Sequence, residues 1–180
     1  MKKNIFSIIV ICAFVVNSIF GQELKSPDGN FTMNFTLRDG GIPTYSLIYK
    51  GKEVVKSSKL GLELIPEADS RDFWDFSPEG TKAQQKDEKA NLYNGFQIVD
   101  RNFSTVDESW QPVWGETRDI RNHYNELWVT LNQQTTDRKI MIRFRLFNDG
   151  LGFRYEFPQQ NNLIYFVIKE ERTQFAMAGD

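Results

Sequence analysis

The chain has 180 residues, of which 40% are hydrophobic, 26% charged and 14% aromatic, with one cysteine and one histidine. One domain fits that length, and 15 Phe exclude a disordered acidic tail, which would lack the aromatics to pack. A formal net charge of -2 excludes a basic nucleic-acid binder, and a lone His argues against His-rich metal sites and His-based triads.

The N-terminus reads as an export signal. Lys2 and Lys3 precede an apolar run from Ile5 to Val16, and Asn17, Ser18 and Gly21 lead to Gln22. That order matches the positive, apolar and cleavage regions of a secretory signal peptide, and the run is too short to span a bilayer. Residues 1–21 are expected to be removed, placing the protein in the periplasm or outside the cell with no membrane attachment. The alternative is an uncleaved anchor. Cys12 leaves with the signal and follows Ile11 rather than a small residue, so it does not read as a lipidation site. An exported chain without cysteine depends on its core alone.

From Gln22 onward the chain reads as strands. Phe31, Met33, Phe35 and Leu37 alternate with polar residues, as do Tyr45, Leu47 and Tyr49, then Leu60, Leu62 and Leu64. The same period returns at Leu127 to Leu131, Ile140 to Leu146, Phe153 to Phe157 and Ile164 to Ile168. Each predicts a strand with one buried face. Asp39-Gly40-Gly41, Lys50-Gly51-Lys52 and Asn148-Asp149-Gly150 supply glycine turns, and the last should pair Ile140–Phe147 with Leu151–Phe157. The fold class predicted is an all-β antiparallel sandwich. No stretch keeps a helical period; Thr81 to Leu92 comes nearest and reads as a loop or frayed turn.

Two stretches break the alternation. Pro66 to Lys89 is polar and acidic, and its Asp69, Asp72 and Asp75 lack the spacing of a calcium-binding EF-hand loop. Ser109 to Glu126 concentrates Trp110, Trp114, Glu116, Arg121, His123 and Glu126. Indoles beside carboxylates suit a sugar, whose ring face stacks while its hydroxyls are hydrogen-bonded, so Trp114, Glu116, Arg121 and His123 are candidate substrate-binding residues. The same residues suit a long connection pinned by Arg–carboxylate pairs and buried Trp. Glu116 and Glu126 could be a glycosidase acid pair, a matter of spatial separation that sequence does not give. Three N-x-[ST] triplets, at Asn30, Asn34 and Asn102, carry no functional weight here. The chain has no phosphate loop, dinucleotide fingerprint or G-x-S-x-G elbow.

Three segments carry a resemblance: W-Q-P-V-W-G-E over 110–116 running on to I-R-N-H-Y-N-E-L over 120–127, then I-R-F-R-L-F-N-D-G-L-G-F-R-Y-E-F over 142–157, then Y-F-V-I-K-E-E over 165–171. Together they resemble the N-terminal domain of glycoside hydrolase family 97, across essentially the whole chain after the signal. The resemblance implies a β-super-sandwich like that of galactose mutarotases, preceding a catalytic (β/α)8 barrel that would carry the acid and base. It implies an α-glucosidase-like enzyme acting on α-linked, starch-derived oligosaccharides, with calcium near the reaction centre. The calcium ligand from this domain would fall shortly after Asp180, so no catalytic or metal residue is assigned to any position here. On this basis residues 22–180 would be an incomplete sandwich, with the barrel as its partner and no activity of its own. A non-catalytic carbohydrate-binding sandwich is the alternative; a mutarotase-like enzyme would need more than His123.

Overall fold

The computed structural model describes residues 21–65 and 91–179. The signal segment, the acidic stretch 66–89 and most of Thr81 to Leu92 lie outside the described residues. Among those described, the elements are eleven strands. They are β1 (Gln22–Lys25), β2 (Phe31–Arg38), β3 (Ile42–Tyr49), β4 (Lys52–Lys59), β5 (Leu62–Leu64), β6 (Asn91–Leu92), β7 (Phe96–Trp110), β8 (Ile120–Gln133), β9 (Arg138–Leu146), β10 (Leu151–Glu156) and β11 (Ile168–Glu171). All named pairings are antiparallel.

Three sheets result, in the orders β1-β2-β3-β4, β10-β9-β8-β7 and β11-β5-β6. The two larger ones turn their apolar sides to one another. Met33, Phe35, Tyr45 and Leu47 meet Leu127, Val129, Leu131, Ile140, Ile142, Phe144 and Leu146 in one buried cluster. Phe35 packs on Phe144 with ring centroids 5.6 Å apart, and Tyr45 on Phe153 at 5.3 Å. Leu62, Leu64 and Leu92 of the small sheet join the same cluster. The period-two segments supply these layers because a strand turns alternate side chains to opposite faces. The architecture is the expected antiparallel β-sandwich.

The turns follow their glycines. Leu151 pairs with Leu146 and Glu156 with Met141, so the Asn148-Asp149-Gly150 hairpin forms in the expected register. The Gly40–Gly41 turn does more than reverse the chain. Gly95 N–H donates to the Gly40 carbonyl at 2.7 Å and Phe96 N–H to that of Gly41 at 3.1 Å. Gly41 lies at φ 67°, and a Cβ there would fall 2.4 Å from the Phe96 nitrogen. Only glycine lets this turn clamp the root of β7, which sets where that strand leaves the body.

Several expectations are corrected. Ser109 to Glu126 is not one irregular connection: Ser109 and Trp110 end β7, and Ile120 to Glu126 begin β8. Asn91 and Leu92 form β6 rather than a loop. The segment predicted as a strand over Ile164 to Ile168 is irregular until Ile168, with Ile164 and Tyr165 exposed. Phe166 still packs on Phe157 at 4.7 Å and joins the edge of the core, so only one residue of the apolar alternation before Ile168 is partly buried there.

Candidate functional site

The longest pairing among the described residues builds the site. β7 and β8 match from Phe96 opposite Gln133 to Trp110 opposite Ile120, whereas β9 accompanies β8 only as far as Asn125. Beyond that point Val106–Trp110 and Ile120–Tyr124 continue as a two-stranded arm, with no third strand among the described residues. Fifteen residues of β7 span about 50 Å at roughly 3.3 Å per residue.

Residues directly opposite in a pair share a face. One face of the hairpin begins as the core, with Leu131, Val129 and Leu127, and becomes polar along the arm. Phe103 and Leu127 are opposite, then Thr105 and Asn125, then Asp107 and His123, then Ser109 and Arg121. Thr105 Oγ1 donates to Asn125 Oδ1 at 2.7 Å, and Asn125 Nδ2 donates to the Lys25 carbonyl at 2.8 Å, fastening the foot of the arm to β1. An open groove of about 520 Å³ lies there, lined by Glu23, Leu24, Lys25, Phe103, Ser104, Thr105 and Asn125. Above it Arg121 grips Asp107 with two hydrogen bonds of 2.7 Å. This hydrogen bonding holds the Asp107 carboxyl below, and raises the Arg121 guanidinium above, its ordinary range. His123 Nε2 stands 3.9 Å from the same carboxylate. A half-exposed ring, two amide or hydroxyl groups, an ion pair and an imidazole thus form one strip, a surface able to stack a sugar and bind its hydroxyls.

The arm ends in the 111–119 loop, where Gln111 Nε2 donates to Asp119 Oδ1 at 2.7 Å. Trp114 and Glu116 sit in that loop, and Trp114 is 88% exposed. Of the four candidates, the structure brings Arg121 and His123 together over one carboxylate and leaves Trp114 and Glu116 beyond them at the tip. Composition missed Asp107, whose partnership with Arg121 and His123 is created by register.

The opposite face of the sheet answers the question of an acid pair. Glu126 is buried and accepts from Arg143 Nη1 at 2.7 Å and Arg145 Nε at 2.8 Å. Arg143 Nε also donates to Glu156 at 2.6 Å, as does Arg154 Nε at 2.7 Å. Burial pushes the Glu126 carboxyl up, but the bonds from Arg145 and Arg143 outweigh it and hold the group below its usual value. A general acid needs the reverse shift. Glu126 is therefore held as a structural anion by two arginines of β9, while Glu116 lies apart from it in the 111–119 loop. No group of three or more His, Cys, Asp or Glu among the described residues could hold a metal ion, so the described residues do not themselves make a calcium site.

The family model described as "Glycosyl-hydrolase 97 N-terminal" matches residues 24–180. Among solved structures, a glycoside hydrolase family 97 enzyme from Pseudoalteromonas sp. strain K8, determined with panose and with acarbose, shares 28% identity at a TM-score of 0.70. The match covers 87% of this chain and 20% of that enzyme, so the chain spans about a fifth of its length. A β-arabinopyranosidase, at 20% identity and a TM-score of 0.66, shares the fold over 86% of this chain and 21% of its own. By this match, by the shared sandwich and by the strand register that produces it, the chain belongs to the N-terminal domain family of the family 97 glycoside hydrolases.

Proposed function

We propose that this chain is the N-terminal part of an exported, calcium-dependent α-glycosidase of the α-glucosidase type that hydrolyses starch-derived oligosaccharides. The observation that carries the reading is the match to an enzyme solved with panose and acarbose, of which this domain corresponds to one fifth. The chemistry belongs to a catalytic barrel downstream. There one carboxylic acid protonates the departing glycosidic oxygen while a second carboxylate activates water or attacks the anomeric carbon. This domain supports the barrel and borders the sugar pocket with its polar strip, where Arg121 and His123 meet sugar hydroxyls and Asp107 holds Arg121 in place. Calcium belongs to the full-length enzyme, and no step is routed through it here.

The test is hydrolysis of p-nitrophenyl α-glucoside and α-galactoside by the full-length polypeptide, with and without calcium chelation. Cleavage of the glucoside that chelation abolishes is expected, with Arg121→Ala and His123→Ala each raising KM several-fold at unchanged kcat. A full-length protein that binds oligosaccharides yet cleaves neither glycoside would overturn the enzyme reading in favour of a binding module. Export is checked by the N-terminal sequence of the secreted protein, expected to start at Gln22.

A further inference from the structure

We infer that the tip of the β7–β8 arm is an anchor that seats Trp110, Val113, Trp114 and Ile120 in an apolar recess of the catalytic domain of the same polypeptide. The inference rests on the reading that such a domain follows, and it concerns a contact rather than the reaction.

The distribution of apolar surface carries it. Val113 is 93% exposed, Trp114 88%, Trp110 52% and Ile120 36%, with Trp110 and Ile120 opposite one another on the last rung of the ladder. Between these residues and the Val106–Tyr124 pair at its foot the arm is polar and cross-braced. Arg121 holds Asp107, Asn122 Nδ2 donates to Glu108 at 2.8 Å, and Gln111 closes the neck of the loop onto Asp119. A two-stranded ribbon is marginal by itself, and solvated loop tips are ordinarily built from small polar residues. Here the free end is the most apolar part. A stiff arm with its greasy residues at the far end is pre-organised for docking.

The same quantities choose the occupant. The four side chains expose roughly 500 Å², short of the ~800 Å² per partner of a stable free-standing interface. Two tips meeting in a dimer would therefore be too small to hold, whereas a tethered domain needs less area because its effective concentration is high. An oligosaccharide fits the tip poorly, since Val113, the most exposed of the four, offers no hydrogen bond and no ring to stack on. Trp114 thus goes with the anchor, and the sugar contacts stay with the strip at Arg121 and His123.

The experiment places the photoreactive residue p-benzoylphenylalanine at position 113 of the full-length polypeptide and maps cross-linked peptides by mass spectrometry. Cross-links within one molecule to the catalytic domain are expected. Cross-links between copies, links confined to this domain, or none at all would overturn the inference. In parallel, a Val113→Ser, Trp114→Ala variant should exchange the arm amides of 106–110 and 120–124 several-fold faster while those of β9 stay protected. Unchanged arm exchange counts against the anchor. Neither readout depends on hydrolysis, so an inactive wild type would defeat the enzymatic reading without bearing on the contact.

Discussion

Replacing Glu126 by Gln tests the electrostatics of the outer sheet face. The carboxylate accepts one bond from Arg143 and one from Arg145, and Ser104 Oγ lies 3.5 Å away. A hydrogen bond to a charged group contributes about 1.5–3 kcal/mol. Two considerations reduce the sum. Arg143 keeps Glu156 as a partner, and Arg145, whose side chain is 40% exposed, is screened by water and also lies over the Tyr124 ring at 4.6 Å. About 2 kcal/mol should therefore be lost at neutral pH, or roughly 4–8 °C in melting temperature for a domain of this size. The sign of the pH dependence follows from the downward shift of the Glu126 carboxyl. Its contribution is complete above the unfolded value of 4.5 and disappears as pH falls through the lower folded one. Urea titrations followed by circular dichroism at pH 7 and pH 3 read both quantities. A gap under about 0.5 kcal/mol at pH 7, typical of a neutral surface change, would refute the reasoning. So would a gap as wide at pH 3 as at pH 7.

The turn glycines should separate cleanly. Gly41→Ala, whose new methyl meets Phe96 backbone, should cost at least about 3 kcal/mol, whereas Gly40→Ala, at φ 79° with open space around it, should cost about 1 kcal/mol by thermal melting. Tyr155 sits with its hydroxyl 2.9 Å from Gly61 N and 2.8 Å from Thr173 Oγ1, and burial pushes its pKa up to about 12. Its stabilisation is complete below pH 10 and lost between 10 and 12, so alkaline melts of wild type should fall through that window and those of Tyr155→Phe should not. The 180-residue chain by itself is expected to release no p-nitrophenol from either α-glycoside, and turnover by a pure sample would contradict this.

The strands that were legible in the sequence are those with one wet and one dry face. β2 and β9 bury alternate residues, so their composition carries the period. β7 escaped detection because it is an edge strand exposed along nearly its whole length, with Phe96 its only buried residue. With neither face buried there is no alternation to read, and the strand exists through its ladder to β8. The same cause hid the arm: Ile120 to Asn122 extend past the sandwich, so polar residues fall on both sides. The site was half legible for a related reason. Arg121 and His123 stood out by type, but Asp107 lies fourteen residues before Arg121 and meets it only through register. Glu126 looked chemical because it lay near Trp and His, whereas its neighbours across the sheet are Arg143 and Arg145.

Those cross-sheet neighbours belong to a wider pattern in how several of the described acids are held. Among the described residues, every carboxylate with a resolved shift is held down. For Asp28 the leading cause is the Ser26 hydroxyl; for Glu63, Lys169; for Asp107, Arg121; for Glu156, Arg143; for Glu126, Arg145 and Arg143 overcome burial. Asp28 is held within its own turn, whereas the other four carboxylates tie neighbouring segments together: Glu63 binds Lys169 of β11 and Arg172 just beyond it, and Glu156 ties β10 to β9. Glycoside cleavage requires one carboxyl whose environment makes its charged form unfavourable, so that it keeps a proton to give. An arginine-rich sheet face does the opposite. The five carboxylates with lowered values thus serve the sandwich as fixed hydrogen-bond acceptors, the opposite of what a poised proton donor requires.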